Sequence, residues 1–301
     1  MGISHYLKEI GRGKDGARPL SREQAADLLG QVLDGQVTDL EIGGFCLAMR
    51  IKGETPEEMA GFLDAVQQRL NLLPESEKPV VVLPSYNGAR KLPVLTPLLA
   101  LLLAREGLPV LVHGTPTESG RVFASNVLEV LEVRPLSAIK KIASGEVAFA
   151  ATELLSPALK RLLDVRRAVG LRNPAHSLVK LMKPVAGKAL VVSSYTHPEY
   201  ALSMAATFEL VKADALLLRG TEGEVVADAR RSPQMQGFVK GQRVLFQEGV
   251  KGTLPSVPDL PGEIDAASTA AYIQSVLAGK SPLPVSIRQQ VEHILHLAEQ
   301  L

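Results

Sequence analysis

The sequence predicts an α/β protein in which a small N-terminal helical domain precedes a large, mostly parallel sheet flanked by helices. Capped amphipathic helices fill the first quarter of the chain. From Pro79 onward, short apolar strands alternate with helical segments. Alternation at this spacing is typical of a parallel sheet with helices on both faces.

Each predicted helix of the N-terminal domain starts at a residue whose side chain can cap it. Ser21 and Gln24 form a capping box. Thr38 caps a second helix, and Thr55, followed by a proline, starts a third. We therefore expect a mainly helical domain over residues 1–78.

The α/β domain is placed at residues 79–301, and a short segment of it is allowed to return to the helical domain. The predicted strands cover residues 80–83, 109–113, 148–151, 189–193 and 215–219. The predicted helices cover residues 96–105, 125–131, 157–169, 198–211, 266–277 and 285–297. Residues 221–262 are predicted to be less regular, with one hairpin-like piece at residues 243–247.

Composition indicates an ordinary soluble protein of a reducing compartment. Apolar residues make up 46% and charged residues 22% of the 301 positions, and no apolar run reaches the length of a membrane span. The single cysteine, Cys46, excludes an intrachain disulfide and is predicted to be a core thiol. We expect a cytoplasmic protein without membrane partners.

Charge is distributed unevenly although the formal net charge is only +1. Residues 21–77 hold four basic and eleven acidic side chains, which gives −7, and residues 160–188 hold eight basic and one acidic, which gives +7. Such asymmetry favours an anionic partner, although a solvated charged face is an equal alternative on charge alone.

The first predicted strand leads into a loop that could bind an anion. Residues 84–91, PSYNGARK, carry an Asn-Gly turn and end in Arg90 and Lys91. In a parallel sheet, the loop at the carboxyl end of such a strand is a common anion site. We interpret Arg90 and Lys91 as phosphate contacts, with a solvated loop as the alternative.

The remaining candidate contacts are cations in two stretches. The predicted helix from Pro157 and the loop after it are rich in arginine and lysine, and so is a glycine-rich stretch near the N-terminus. The candidates are Lys160, Arg161, Arg166, Arg167, Arg172, Lys180 and Lys183, together with Arg12, Lys14 and Arg18. Such residues would neutralise phosphates and release counterions. A buried relic of an ancestral substrate site is the alternative for Arg166 and Arg167.

The order of loops resembles the anthranilate phosphoribosyltransferase family over about residues 5–300. Residues 149–184 are similar to that family's stretch around paired arginines, VHG at 112–114 to its KHGN loop, and LLLRGTEGEVV at 216–226 to its segment VHGxDGLDE. The resemblance implies a degenerate ancestral substrate loop formed by Ser85, Tyr86, Asn87, Gly88, His113 and Gly114.

Departures from the family pattern imply that phosphoribosyl transfer is lost. The enzymes hold pyrophosphate on a GTGGD loop, where this chain has SYNGARK with the bulky Tyr86. Their Asp-Glu pair, which holds magnesium, corresponds to Val225 and Val226, and valine cannot ligate a cation that requires oxygen. We therefore expect no catalytic residues, no metal and no cofactor, and we interpret His113 as a buried or loop histidine.

The motifs PSYNGARK and TEGEV together resemble the YbiB-type proteins, a non-enzymatic branch of this family. That resemblance implies a homodimer that binds DNA, and RNA as a second candidate, with little sequence preference, and it makes residues 1–78 the dimerisation domain. Aromatic residues are only 4%, so Tyr86 and Tyr195 are the few loop candidates for base stacking. Two alternatives stay open: a metal-independent glycosyl or phosphoribosyl transferase or phosphorylase with a phosphate site, and a small-molecule sensor.

Overall fold

The computed structural model describes residues 2–13, 15–252 and 258–301. Its helices are α1 (Ser4–Ile10), α2 (Arg22–Leu33), α3 (Asp39–Lys52), α4 (Pro56–Gln67), α5 (Thr96–Arg105), α6 (Ala124–Val130), α7 (Thr152–Leu155), α8 (Pro157–Val169), α9 (Ala175–Leu178), α10 (Pro198–Leu210), α11 (Ala266–Leu277) and α12 (Val285–Ala298). Its strands are β1 (Val80–Pro84), β2 (Val110–Gly114), β3 (Val147–Ala151), β4 (Ala189–Tyr195), β5 (Ala215–Arg219), β6 (Met235–Val239) and β7 (Gln242–Gln247).

The chain divides into two compact units. Unit 1 is Met1–Leu72 with Thr152–Pro184, and unit 2 is Leu73–Ala151 with Val185–Leu301. The first break therefore lies at Leu72 rather than at residue 78. Residues 152–184, which carry most of the candidate cations, belong to the helical unit rather than to the sheet.

Unit 1 is a helical bundle whose helices start at the capping residues that the sequence predicts. Complete capping boxes stand at Ser21, Thr38 and Thr55, each with its partner three residues later. Phe45 of α3 and Phe62 of α4 are fully buried, with their rings edge to face at 5.9 Å. Each such burial stabilises the fold by about 2–3 kcal/mol, so the bundle has a core of its own.

One sheet, ordered β3-β2-β1-β4-β5-β6-β7, runs through the described part of unit 2. The first five strands in this order pair in parallel, and β6 and β7 add antiparallel pairs at one edge. The order reverses between β1 and β4. In open α/β sheets, ligands bind outside the carboxyl ends of the strands at such a reversal, which is where β1 delivers residues 85–92.

Side chains alternate between two faces of this sheet, and both faces are covered. Leu190 and Val192 of β4 belong to a core cluster with residues of α5, α6, α11 and α12. On the other face α10 contacts β4 and β5, and its Phe208 lies against Phe238 of β6 with ring centroids 5.6 Å apart. Burial on both faces explains why these strands read as continuous apolar runs.

The predicted elements agree with this architecture except within residues 221–262. The hairpin-like piece at residues 243–247 is strand β7, but its partner β6 was not predicted, and the segment is more regular than expected. Cys46 is buried as predicted, and burial raises the pKa of its thiol to about 11. None of the helices in the described ranges is both long and apolar enough to cross a membrane.

Candidate functional site

The loop after β1 is folded around the carboxylate of Glu224. Backbone N–H groups of Asn87 and Gly88 donate to Glu224 Oε1, each at 2.9 Å. The hydroxyls of Ser85 and Thr96 donate to Oε2 at 2.5 and 3.1 Å. Glu224 is buried, and these four donors compensate the cost of removing a carboxylate from water.

A second carboxylate, that of Glu222, takes the amides at the far end of the same loop. The N–H groups of Arg90, Lys91 and Leu92 donate to Glu222 Oε2 at 3.0, 3.1 and 3.2 Å. Burial of Glu222 raises the pKa of its carboxyl, but these three donors outweigh it and leave that pKa below its usual range. The backbone amides of this loop are thus occupied by two carboxylates of the chain itself.

The turn that carries both glutamates is held by β4 and α12. Ser194 Oγ donates to the Gly223 carbonyl at 2.9 Å. Gln290 accepts from the N–H of Ala227 at 2.8 Å and donates to the Val225 carbonyl at 2.7 Å. Gly223 has φ +87°, and a Cβ built there would lie 1.7 Å from Asn87 Nδ2. Only glycine lets the turn come this close to the loop.

His113 lies beside this loop at the end of β2, but it does not face solvent. It is fully buried, and burial lowers its pKa to about 3, so the ring is neutral at physiological pH. Tyr86 Oη and His113 Nδ1 share a hydrogen bond of 2.9 Å. No hydrogen-bond partner for His113 Nε2 is present among the described residues. The interpretation of His113 as a buried histidine agrees with this geometry.

The residues at this loop do not fit a magnesium–pyrophosphate group. Val225 and Val226 are buried in the core of unit 2, which agrees with the interpretation that they offer no ligand. The nearby carboxylates of Glu222 and Glu224 are already engaged by the loop. In residues 2–13, 15–252 and 258–301, no group of three His, Cys, Asp or Glu side chains is arranged to hold a metal ion.

The structure brings together Ser85, Tyr86, Asn87, Gly88, His113 and Gly114, and it separates them by unit from most of the predicted cations. The side chains of Arg90 and Lys91 are exposed, while their backbone N–H groups donate hydrogen bonds to Glu222. A phosphate can therefore contact these two cations only through their side chains. The prediction that Arg90 and Lys91 contact a phosphate therefore concerns their side chains, because their backbone N–H groups donate to Glu222.

The basic segment of unit 1 is built on α8 and the turn that follows it. Leu159, Leu162 and Leu163 are buried on one side of α8, and Gly170 ends the helix in the left-handed conformation. Arg161 and Arg167 are exposed. Arg166, Arg172, Lys180 and Lys183 are half-buried.

Lys160 differs from its neighbours in exposure and in its ion pair. Its side chain is only 16% exposed and forms an ion pair with Asp164 at 2.5 Å. Asp164 also lies 3.4 Å from Arg167 Nε. Because its charge is partly neutralised within the helix, Lys160 is a weaker phosphate contact than the sequence suggests.

The pKa of His176, in α9, is lowered by burial and by cations of this segment. Burial, and then the positive charges of Arg172, Arg166 and Lys180, lower its pKa to about 4, although a hydrogen bond with the backbone of Asn173 opposes them. Burial is the largest cause of this shift, and the charges of the three cations act in the same direction.

The N-terminal cations lie on the surface of unit 1. Arg12 is exposed and pairs with Glu9 at 2.8 Å, while its Nε donates to the Lys8 carbonyl at 2.9 Å. Arg18 is exposed. Lys14 lies outside the described residues. Arg12 is therefore tied to α1 rather than reaching out on an arm.

Two further expectations need correction or addition. Tyr86 and Tyr195 are both buried, so neither offers a face for base stacking.

Glu222 and Glu224 were not predicted to have a role, although the motif TEGEV contains both. The available hint was the pair of acids that follows the predicted strand at residues 215–219.

Comparison with known proteins supports the resemblance. A family model described as the helical bundle domain of a glycosyl transferase family matches residues 4–70. The uncharacterised protein YbiB of Escherichia coli K12 is 42% identical over 299 residues, which are 97% of this chain and 92% of that protein. Anthranilate phosphoribosyltransferase of Methanopyrus kandleri is 29% identical over 290 residues, 92% of this chain and 84% of that protein.

Solved structures show the same fold at lower identity. Anthranilate phosphoribosyltransferase from Thermus thermophilus has a TM-score of 0.76 at 21% identity, over 98% of this chain and 89% of that one. The enzyme from Saccharomyces cerevisiae, in complex with PRPP and Mg, has a TM-score of 0.69 at 14% identity, over 99% and 89%. This chain thus belongs to the same family as YbiB, carries a helical bundle domain of the glycosyl transferase type, and has the anthranilate phosphoribosyltransferase fold.

Proposed function

We propose that this protein is a homodimer that binds the backbone of DNA, and of RNA, without reading sequence, on a scaffold that no longer transfers phosphoribosyl groups. The observation that carries the proposal is the basic segment that lies mostly in unit 1: residues 160–188 have a net charge of +7, and Arg161 and Arg167 are exposed on α8. A basic surface attracts polyanions, and phosphate contacts dominate sequence-independent binding.

The supply of side chains favours phosphate contacts over base readout. Arg161 and Arg167 are exposed on α8, and Arg12 and Arg18 are exposed near the N-terminus of the same unit. Tyr86 and Tyr195 are buried, so the loop after β1 and the end of β4 lack the aromatic platforms that single-strand binders use. Phosphate contacts position a nucleic acid but carry no sequence information.

The proposed loss of phosphoribosyl transfer rests on the loop after β1, whose amides are occupied by carboxylates of the chain. Glu222 and Glu224 take the backbone amides that a phosphate would need, and Val225 and Val226 offer no ligand for a metal. Without charge neutralisation on the leaving group, several kcal/mol of barrier reduction, about 3 or more, is missing. A metal-independent transferase or phosphorylase remains the alternative. The transferase requires product from PRPP and an acceptor such as anthranilate, and the phosphorylase requires release of a sugar phosphate from a glycoside and inorganic phosphate.

A homodimer is proposed from one apolar face of α3. Leu40, Leu47 and Ile51 recur on one side of the helix and are 86%, 45% and 58% exposed. Gly43 lies on the same side, and a Cβ built there meets nothing within 4 Å. A row of exposed large apolar side chains around a glycine is suited to close packing against a second copy.

The test is fluorescence anisotropy of a labelled oligonucleotide across a salt titration. We expect the wild type to bind at low salt and to weaken steeply as salt rises. Arg161→Glu/Arg167→Glu should lose about tenfold or more in affinity and flatten the salt dependence by roughly 2 units of log–log slope. Lys280→Glu/Arg288→Glu, a charge-matched change at exposed cations of unit 2, should behave nearly as the wild type.

The opposite results would separate the alternatives. No binding at low salt, or equal loss in both double variants, would contradict a nucleic-acid surface on α8. Conversion of PRPP and anthranilate into phosphoribosyl anthranilate would instead establish the transferase alternative. The reaction is monitored by the change in fluorescence. The wild type is expected to form none.

A further inference from the structure

The amides of residues 90–92 form a preorganised anion site. Three successive N–H groups point at one oxygen atom, Glu222 Oε2, within 3.0–3.2 Å. Successive backbone N–H groups that converge in this way form concave sites for oxyanions. The site stands at the end of β1, where the strand order of the sheet reverses, and a phosphate oxygen has the same acceptor chemistry as the carboxylate that fills it.

Glu222 is placed there by an unusual backbone. Its φ and ψ are 51° and 21°, a left-handed conformation that a side chain of this type rarely adopts. The carbonyl of the same residue accepts from Asn87 Nδ2 at 3.1 Å, so the loop holds both the backbone and the side chain of Glu222. Strain of this kind persists only where surrounding contacts fix it, and here the contacts are those of the carboxylate in the amide row.

Glu222 and Glu224 differ in how readily they can be exchanged. Glu224 is buried and has four donors, two of them side-chain hydroxyls, so it is part of the core. Glu222 is half-buried at the rim, next to the exposed side chains of Arg90 and Lys91. The positive charge of Arg121 also acts on it. Removal of Glu222 would leave an accessible cationic pocket with three unsatisfied amides.

We propose that Glu222 is an internal ligand that closes the amide row of residues 90–92 to external phosphate groups, so that loss of its carboxylate opens a phosphate site there. A tethered carboxylate acts at a high effective concentration, and it therefore excludes millimolar free phosphate from the wild type. The inference lies in unit 2 and stands apart from nucleic-acid binding by the cations of unit 1.

The test compares Glu222→Ala with the wild type and with Glu129→Ala, which removes an exposed acid of the same unit. Inorganic phosphate and pyrophosphate are titrated against each protein, and thermal unfolding and backbone amide chemical shifts are recorded. Glu222→Ala should melt lower without ligand and gain about 3 °C or more at tenfold excess over its dissociation constant. Its largest amide shifts should fall at Arg90, Lys91 and Leu92.

Glu222→Gln covers the case in which the alanine variant fails to fold. It keeps an acceptor for the amides but removes the charge, so it should respond to phosphate with lower affinity than the alanine variant. A short oligonucleotide, titrated in parallel, separates free phosphate from phosphodiester as the source, and shifts at residues 90–92 with either probe support the site.

Two results would overturn the proposal. One is equal stabilisation of the wild type, Glu129→Ala and Glu222→Ala by phosphate. The other is a folded Glu222→Ala or Glu222→Gln whose amides at residues 90–92 do not respond to either probe.

Discussion

At the scale of single residues, Glu224 is the side chain on which the loop after β1 depends most. Its removal would leave the N–H groups of Asn87 and Gly88 and the hydroxyls of Ser85 and Thr96 buried without their acceptor. We expect Glu224→Ala to lower the free energy of unfolding by about 3 kcal/mol or more. Urea denaturation measures this quantity.

The isosteric variant serves as the control for that prediction. Glu224→Gln keeps one acceptor oxygen for the two amides, and the hydroxyls can rotate to accept from its NH₂ group. It should therefore cost only about 1 kcal/mol. Equal effects of the two variants, or an alanine effect no larger than the ~0.5 kcal/mol typical of exposed sites, would show that Glu224 does not organise the loop.

His113 makes a second prediction, on pH dependence. Its pKa is about 3 in the fold against an ordinary value of 6.5, because it is buried. Below pH 6.5 the unfolded chain therefore binds a proton that the folded chain does not, and stability falls as pH falls. Between pH 7 and pH 5 we expect the wild type to lose about 2 kcal/mol more unfolding free energy than His113→Gln.

Urea denaturation of both proteins at several pH values tests this, and the ring resonances of His113 provide an independent readout. Its chemical shifts should stay constant from pH 8 to pH 5. Parallel loss of stability in the two proteins, or titration of the ring near pH 6.5, would contradict a buried neutral imidazole.

At the scale of elements, one acidic side chain of α8 partly neutralises two of its cations. Asp164 lies 2.5 Å from Lys160 Nζ and 3.4 Å from Arg167 Nε, so one acid restrains two cations. If α8 contacts phosphates, Asp164→Asn should tighten oligonucleotide binding about fivefold and steepen the log–log salt slope by up to about 1. Glu263→Gln, an exposed acid in unit 2, should change neither, and an unchanged Asp164→Asn would count against α8 as the contact surface.

Elements differ in how well the sequence predicts them, and the difference is physical. Capping boxes at Ser21, Thr38 and Thr55 are local, because cap and partner lie three residues apart. The ion pair of Lys160 with Asp164 is also local, because residues at spacing i, i+4 are neighbours on a helix, so the sequence could have predicted it. Strand β6, with the sequence MQGFV, has a glycine at its centre and few β-branched residues, so its pattern is weak.

The roles of Glu222 and Glu224 could not be read from local pattern. Each of their hydrogen bonds to the loop after β1 joins residues more than 120 positions apart. Only the assembled sheet brings the turn after β5 to the loop after β1. The sequence therefore predicted the fold, but not that carboxylates of the chain occupy the amides of this loop.

At the scale of the whole molecule, the exposed face of α3 predicts how two copies associate. Leu40, Leu47 and Ile51 lie on one side of the helix with Gly43 among them. In a twofold dimer the same face meets itself, so a single charge introduced there appears twice in the interface. We expect Leu47→Glu to shift the mass measured by light scattering from twice the chain mass of 32.2 kDa to that mass.

A substitution at Gly43 should change the stability of the chain and the strength of the dimer in opposite directions. Because nothing lies within 4 Å of a Cβ built at Gly43, Gly43→Gln should stabilise the isolated helix by about 0.5–1 kcal/mol, since glycine is a poor helix former. The same side chain would block close approach of a second copy and weaken the dimer. Leu202→Glu, at an exposed leucine of α10, should leave the mass unchanged. A wild type that sediments as a monomer, or a Leu47→Glu variant that stays dimeric, would contradict this interface, and with it the avidity that two cationic surfaces on one nucleic acid would provide.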